Sequence, residues 1–253
     1  DGKPVRAGRV RFWGRVVDLL PPHQHIAFEL QATSTGVQLV AAVPQMLRAA
    51  FLTQLASEWP GTRTRTLAAQ GDQLVTGTER SGWSVTLCPR NADLPLEATA
   101  EDPLLAPLTE LSGLLEGVAA GVQLVVRSDP YSRRRLGTKA AKRMGEQTRF
   151  TTLASRRTTK LVDERAQHAF LEVELRVWAH ARTEGLARRT AESLARSLCA
   201  QYEPANPLLR MSTRAGLPST RAFGMFSGSP WTEAELGQLA HLVGADVLAH
   251  VPT

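Results

Sequence analysis

The sequence LEVELRVWA at residues 171–179 decides the fold. Apolar residues alternate with charged ones from Leu171 to Val177, and this period of two is typical of a β-strand. The spacing becomes helical from Thr183 to Tyr202, where Glu203-Pro204 ends the helix. The rest of this half predicts two strands, a helix capped by Thr232 and a closing strand, at 207–211, 222–226, 232–243 and 246–251.

The same order of elements is predicted from Val37 to Ser128. An apolar strand is followed by a helix in which Leu47, Phe51, Leu55 and Trp59 form one stripe, and a second stripe runs from Leu104 to Val118. The strands of this half are predicted at 37–43, 62–67, 83–87 and 121–128. A short arm or helix near the start and a hairpin strand at 25–30, which alternates as a half-buried strand should, precede it.

Two copies of a βαββαβ unit predict an α+β protein made of two tandem ferredoxin-like domains, each with one four-stranded sheet and both helices on one face. Handedness rules favour this arrangement over most competitors. We expect the first domain, with its arm and hairpin, at 1–130 and the second at 166–253. A basic, helical segment at 131–165 separates them.

That segment concentrates the positive charge of the chain. Between Tyr131 and Lys160 the only acidic residue is Glu146. Such a run attracts polyanions, and its affinity for DNA falls as salt rises because each neutralised phosphate releases counterions. A solvated linker is an equally good interpretation. The candidate nucleic-acid-binding residues are Arg133, Arg134, Arg135, Lys139, Lys142, Arg143, Arg149, Arg156, Arg157 and Lys160.

Composition excludes several classes of protein. The chain has 253 residues, 43% hydrophobic and 21% charged, which is ordinary for a globular protein and unlike a disordered one. Its net charge of +6 favours anionic partners. No apolar stretch approaches the roughly 20 residues that span a bilayer. The chain starts at Asp1 with neither a methionine nor a signal-peptide core, and we expect it to be a piece of a longer protein.

Neither a metal site nor a catalytic centre is predicted. His23 and His25 project to one side of an extended chain but have no further ligand nearby, so a pair without metal is favoured. Cys88 and Cys199 match no metal spacing and read as reduced thiols of a cytoplasmic protein. Phosphate-loop, dinucleotide-binding and nucleophile-elbow motifs are absent from the sequence. We therefore expect no cofactor and no enzyme activity within this chain.

Several short motifs resemble the amino-terminal region of actinobacterial conjugation proteins, the ATP-binding proteins of the DNA-transfer and type IV secretion group. They are LLPPHQHIAFEL at 19–30, GVQL at 36–39, WPGT at 59–62, DPL at 102–104, GVQLVV at 121–126, the arginine-rich segment and TEAEL at 232–236. The resemblance covers nearly the whole chain. It implies a multimeric DNA-translocating ATPase whose nucleotide site follows Thr253.

The leading hypothesis is therefore a non-catalytic assembly and DNA-handling module of a conjugative transfer ATPase. It would be cytoplasmic, at the inner face of the membrane through partners, and would self-associate or dock to other conjugation proteins through sheet edges. A stand-alone nucleic-acid-binding protein that uses the arginine-rich segment remains an alternative. A small-molecule-binding regulator with tandem ferredoxin-like domains fits the same fold, because fold alone does not decide function.

Overall fold

The computed structural model describes residues 12–16, 20–21, 24–66, 81–99, 102–129, 135, 138, 153–218, 221 and 228–240. For residues 153–157 the description is limited to the backbone. The predicted strands at 222–226 and 246–251 lie outside these residues. The predicted strand at 62–67 is wrong, because residues 62–66 are described and form no strand.

Seven strands are described, and all belong to one antiparallel sheet. Their bounds are β1 His25–Thr33, β2 Gly36–Ala42, β3 Ser81–Pro89, β4 Ala119–Ser128, β5 Phe170–Ala181, β6 Leu208–Ala215 and β7 Ser229–Thr232. They lie side by side in the order β2-β1-β4-β5-β3-β6. The seventh strand, β7, pairs with the first residues of β5, on the edge that β3 occupies further along.

The described helices include one near the start and five further along. Residues 12–16 are helical. A short 3-10 turn at Gln45–Leu47 leads into α1. The bounds are α1 Arg48–Glu58, α2 Leu105–Ser112, α3 Leu153–Ala166, α4 Glu184–Cys199 and α5 Glu233–Leu239.

The strands β3 to β6 interleave the two halves of the chain. β3, α2 and β4 come from the first expected copy, and β5, α4 and β6 come from the second. In the sheet, however, β3 lies between β5 and β6 and pairs with both. The mixed α and β class is confirmed. The exact tandem ferredoxin-like arrangement is not, because the described strands form one sheet that is larger than a ferredoxin-like sheet.

The main apolar core lies on the face of this sheet that α1, α2 and α4 cover. Alternate residues of the central strands, such as Val122 of β4 and Val177 of β5, point into it. The helical residues 12–16 complete it, since Phe12 packs edge-on against Phe51 and Trp59. Burial of each such large side chain contributes about 1.5–3 kcal/mol. The expectation of a packed arm or short helix near the start is confirmed.

The opposite face of the sheet is also buried, and it carries a polar network. Glu29 of β1 is fully buried and accepts hydrogen bonds from Gln31 at 2.6 Å, Gln123 at 2.8 Å and Arg221 at 2.7 and 3.0 Å. Arg176 donates to Gln123 at 2.9 Å. The expectation that β1 is half-buried is wrong, because residues of both its faces are covered.

Local signals placed the starts of α4 and α5 correctly, whereas α4 ends at Cys199 and not at Glu203-Pro204. Thr183 caps α4 by accepting a hydrogen bond from the Leu186 amide at 3.3 Å. Thr232 and Glu235 form the expected capping box of α5. The hairpin turn before Gly36 and the helix after Pro44 are both present.

One apolar pattern was misleading. The stripe from Leu104 to Val118 predicted one helix, but α2 ends at Ser112 and Leu115 is 67% exposed. The chain must reverse before β4, and Gly117 makes that turn with φ 78°. The strand β7 contains Pro230, which is tolerated there because the strand lies at an edge.

Replacement of Tyr202 by phenylalanine tests the burial of its phenol. Burial, followed by the neighbouring Glu235, raises the pKa of Tyr202 well above its ordinary value of 10.0. Above about pH 10 the unfolded chain releases this proton while the folded chain keeps it, so the free energy of unfolding decreases as the pH rises. We expect Tyr202→Phe to lack this part of the decrease, as measured by urea unfolding below and above that pH.

At neutral pH the same variant should unfold within about 1 kcal/mol of the wild type, because no described group is a hydrogen-bond partner of the Tyr202 hydroxyl. Other ionisable groups are shared by the two proteins and cancel in the comparison. If the free energy of unfolding decreases equally with pH in the two proteins above about pH 10, the phenol is not buried.

Candidate nucleic-acid interface

The basic segment is an insertion between two neighbouring strands of one sheet. β4 ends at Ser128 and β5 begins at Phe170, and the two strands pair without interruption from Ala119↔His180 to Ser128↔Leu171. The Asp129 amide donates to the Phe170 carbonyl at 3.3 Å just beyond that pairing. Both ends of the insertion therefore leave the same end of the sheet.

An ion pair holds the two strands together at this end. Arg127 of β4 and Glu172 of β5 face each other in the register, and Nε of Arg127 donates to Glu172 Oε2 at 2.6 Å. The second guanidinium nitrogen lies 2.5 Å from the same oxygen. Because the arginine is partly exposed, its charge reaches solvent at the root of the insertion.

The helix α3 returns the insertion to the sheet. Val162 is fully buried and packs with Phe170, Leu94 and Ala166 in a small cluster of its own. Thr159 is buried on the same side of the helix. The last two turns of α3 are thus fixed against the start of β5 and the loop after β3.

Arg165 anchors the end of α3 through a buried ion pair. Its Nε and Nη2 donate to the two oxygens of Glu235 at 2.9 and 2.8 Å. Its other contacts are the carbonyls of Ala92 at 2.5 Å and Pro230 at 2.7 Å. The guanidinium also lies over the Phe170 ring, 5.1 Å from its centroid. All of these contacts are with other groups of the protein, so the role of Arg165 is to stabilise the fold.

Glu235 makes this anchor specific. It caps its own helix at the Thr232 amide, 2.7 Å away, and accepts from the Leu96 amide at 2.9 Å as well as from Arg165. One buried carboxylate therefore joins α5, α3 and the loop after β3. A buried charge is tolerated there because its oxygens are satisfied by donors and paired with a cation.

Lys160 lies on the solvent side of α3. Its side chain is 77% exposed, and its amine is 3.6 Å from Glu164 one turn later. An exposed pair of this kind is weak, so the lysine remains available to an anionic partner. Arg135 is also exposed and lies in helical backbone.

The remaining predicted residues are less completely placed. Arg156 and Arg157 lie in α3, four and three residues before Lys160, and their side chains are not described. The others lie outside the described residues: Arg133, Arg134, Lys139, Lys142, Arg143 and Arg149. The structure therefore brings Arg156, Arg157 and Lys160 onto one helix. It does not describe where the six other residues lie relative to that helix.

Sequence reasoning missed the residues that hold the insertion in place. Arg165 follows directly on the basic run, and its burial has no local signal. The polar network on the second face had a weak signal, since Gln123 is a lone polar residue in an apolar strand and Glu174 and Arg176 carry opposite charges two residues apart. In the structure Arg176 and Glu174 pair at 2.8–2.9 Å.

The described residues contain no group of three or more His, Cys, Asp or Glu that could hold a metal. His25 lies in β1 opposite Arg127, and His23 is outside the described part of the chain. Both cysteines are free and half-buried, and burial raises the pKa of each thiol. Of the helices that are described, none is long and apolar enough to cross a membrane.

No protein-family model matches this chain, and no curated protein or solved structure does.

Removal of the Arg165 guanidinium tests whether α3 is anchored as described. Arg165→Met leaves Glu235 buried without its cation, and we expect the free energy of unfolding to decrease by about 3–5 kcal/mol. Urea unfolding measures the change. Adding Glu235→Gln should recover part of the loss, because the amide keeps an oxygen for the helix cap and carries no charge.

Lys160→Met is the matched control on the same helix. Because the ion pair of Lys160 is exposed, we expect the free energy of unfolding to decrease by less than about 1 kcal/mol. If the two single variants lose the same stability, Arg165 does not hold the helix.

Proposed function

We propose that this chain is a non-catalytic module that presents the basic insertion, residues 131–160, to DNA within the pre-motor region of a conjugative DNA-transfer ATPase. The observation that carries the DNA-handling part is the position of the insertion between β4 and β5, which pair over ten residues. A cationic segment fixed at both ends loses less conformational freedom on binding than a free tail.

The separation of charge along the chain supports the same proposal. The insertion holds ten of the 30 Lys and Arg residues and one of the 24 Asp and Glu residues. The rest of the chain therefore has more acidic than basic residues. A phosphate backbone is attracted to the insertion and repelled, on balance, by the remainder, which favours one docking site over general adsorption.

The rigid root supports a positioning role. Arg127–Glu172 closes the strand pair, and Arg165–Glu235 fixes the end of α3. DNA bound to the exposed cations would therefore be held at a defined place relative to the sheet. No catalytic step is assigned to the chain, and the ATPase activity of the family would belong to a different segment of the parent protein.

The finer fold is also part of the proposal. The connectivity β3-α2-β4-β5-α4-β6, with strand order β4-β5-β3-β6, is that of a single ferredoxin-like unit. The hairpin β1–β2 extends it at the β4 edge. In this interpretation the insertion occupies the connection between the second and third strands of the unit. A second ferredoxin-like copy stays a prediction.

The edges of the sheet support the assembly part of the proposal. Among the described strands, β2 and β6 each have one neighbour. β2 has the sequence GVQLVAA, with neither a charge nor a proline to discourage pairing with another chain. We therefore propose self-association or docking to conjugation proteins through these edges, in the cytoplasm and at the inner face of the membrane through partners.

A salt titration of DNA binding tests the role of the insertion. The variant replaces Arg133, Arg134, Arg135, Lys142 and Arg143 by alanine. We expect weaker binding to duplex DNA and a slope of log K against log salt that is smaller by about 4 to 5, because each lost phosphate contact removes about 0.9 from the slope. Fluorescence anisotropy of labelled DNA at several salt concentrations gives both quantities.

The matched control removes five exposed cations from other parts of the chain, at Arg90, Arg182, Arg189, Arg196 and Arg214. Its slope should stay close to that of the wild type. If the two variants lose the same DNA affinity and the same part of the slope, DNA binding depends on net charge rather than on the insertion. If the slope of the first variant is unchanged, the insertion does not bind DNA.

The family assignment is tested by reading the parent gene past the codon of Thr253. A phosphate-loop motif of the form G-x-x-x-x-G-K-[ST] is the expected result. A reading frame that ends without one removes the conjugative ATPase and leaves the alternative, a stand-alone nucleic-acid-binding protein.

A further inference from the structure

A polar groove lies at the turn between β1 and β2. Its volume is about 240 Å³, and its lining includes Thr33, Thr35, Gly36, Gln31, Gln38 and Arg65. Thr33 pairs with Ala119, the first residue of β4, whereas His25 at the other end of β1 pairs with Arg127. The groove and the strand ends from which the basic insertion leaves are therefore at opposite ends of the sheet, roughly 25 Å apart along β1 at about 3.3 Å per residue.

Among the described residues, Arg65 is the one charged residue that lines this groove, and no described carboxylate lines it. Its segment is tied down on both sides. The Thr62 hydroxyl donates to the Trp59 carbonyl at 2.8 Å, and Arg48 donates to the Thr66 hydroxyl at 3.1 Å. The exposed guanidinium of Arg65 is thus placed beside the turn by a segment whose ends are fixed.

The turn supplies a hydroxyl donor. The hydroxyls of Thr33 and Thr35 are 2.8 Å apart, and the Thr35 amide donates to Thr33 Oγ1 at 3.2 Å. Two hydroxyls carry two hydrogens, and the bond between them uses one, so the other can be donated into the groove or to solvent. Gly36 leaves the approach open, because no atom of the described residues lies within 4 Å of the position that its Cβ would take.

The polar wall behind the turn is oriented by the buried carboxylate of Glu29. That carboxylate only accepts hydrogen bonds, so Gln31 presents its Nε2 to it at 2.6 Å and turns its oxygen towards Gln38. Gln38 in turn donates to Gln31 at 3.2 Å. Because Arg221 and Gln123 also pair with Glu29, its negative charge is compensated within the sheet.

We infer that this groove is a binding site for a phosphate group, held by the Arg65 guanidinium and the hydroxyls of Thr33 and Thr35. A guanidinium matches two phosphate oxygens with two parallel donors, and a hydroxyl can donate to a third. The site does not depend on the proposed function. The phosphate can belong to a small phosphorylated ligand or to a nucleic-acid backbone, and the experiment separates the two.

The test is a titration of the full chain with inorganic phosphate, followed by the amide resonances of Thr35 and Gly36 in two-dimensional NMR. We expect saturable shifts that chloride at the same ionic strength does not produce. Arg65→Ala should weaken phosphate binding about tenfold, because it removes charge-assisted hydrogen bonds. Arg65→Lys keeps the positive charge but loses the two parallel donors of the guanidinium. Its affinity for phosphate should lie between those of the wild type and Arg65→Ala.

Arg63→Ala is the matched control, since Arg63 is an exposed arginine two residues away that does not line the groove. It should bind phosphate as the wild type does. Equal weakening by Arg63→Ala and Arg65→Ala, or shifts that chloride reproduces, would overturn the site. Folding of each variant is checked by the unchanged resonances of β4 and β5.

A DNA duplex added to the phosphate-bound protein separates the two sources. Displacement of phosphate by the duplex, lost in Arg65→Ala, supports the site and assigns it to a nucleic-acid backbone. Phosphate binding that the duplex leaves unchanged supports the site and assigns it to a small phosphorylated ligand. If the insertion variant loses DNA binding while phosphate binding persists, the two sites are separate.

Discussion

The pairing of β4 with β5 is the constraint on which the rest of the structure depends. Ten residues of each strand are matched, and both strands lie in the interior of the sheet. The segment that connects them must leave the sheet and return to it at the same end. Both ends of any sequence inserted there are therefore fixed by the two strands. That geometry turns a run of arginines and lysines, which would otherwise be a solvated linker, into a segment with a fixed root.

Buried charge then determines how the two faces of the sheet are closed. On the second face, Glu29 is matched by Arg221 and by the amides of Gln31 and Gln123. At the end of α3, Glu235 is matched by Arg165. Both ion pairs, Glu29–Arg221 and Glu235–Arg165, join positions far apart in sequence. An ion pair without water is favourable only with well-formed geometry, so these contacts select one arrangement of the connecting segments.

Much of the secondary structure was predictable because it rests on local physics. The alternation in β5, the Thr183 cap of α4 and the Thr232–Glu235 capping box all act within a few residues. For the candidate site, only the positions of its charged residues were predictable from the sequence. The run from Arg133 to Lys160 is visible in any reading, whereas the anchor at Arg165 depends on a carboxylate 70 residues away. No local pattern distinguishes a buried arginine from its exposed neighbours.

By itself, the sequence determined the type and approximate bounds of most elements, the mixed α and β class and the location of the cationic segment. Tertiary structure alone decided that β3 inserts between β5 and β6, and that the second face of the sheet is closed by a polar network. The physical reason is that strand edges are chemically alike. Every strand offers the same row of backbone donors and acceptors, so the choice of neighbour is made by packing and buried charge across the whole chain.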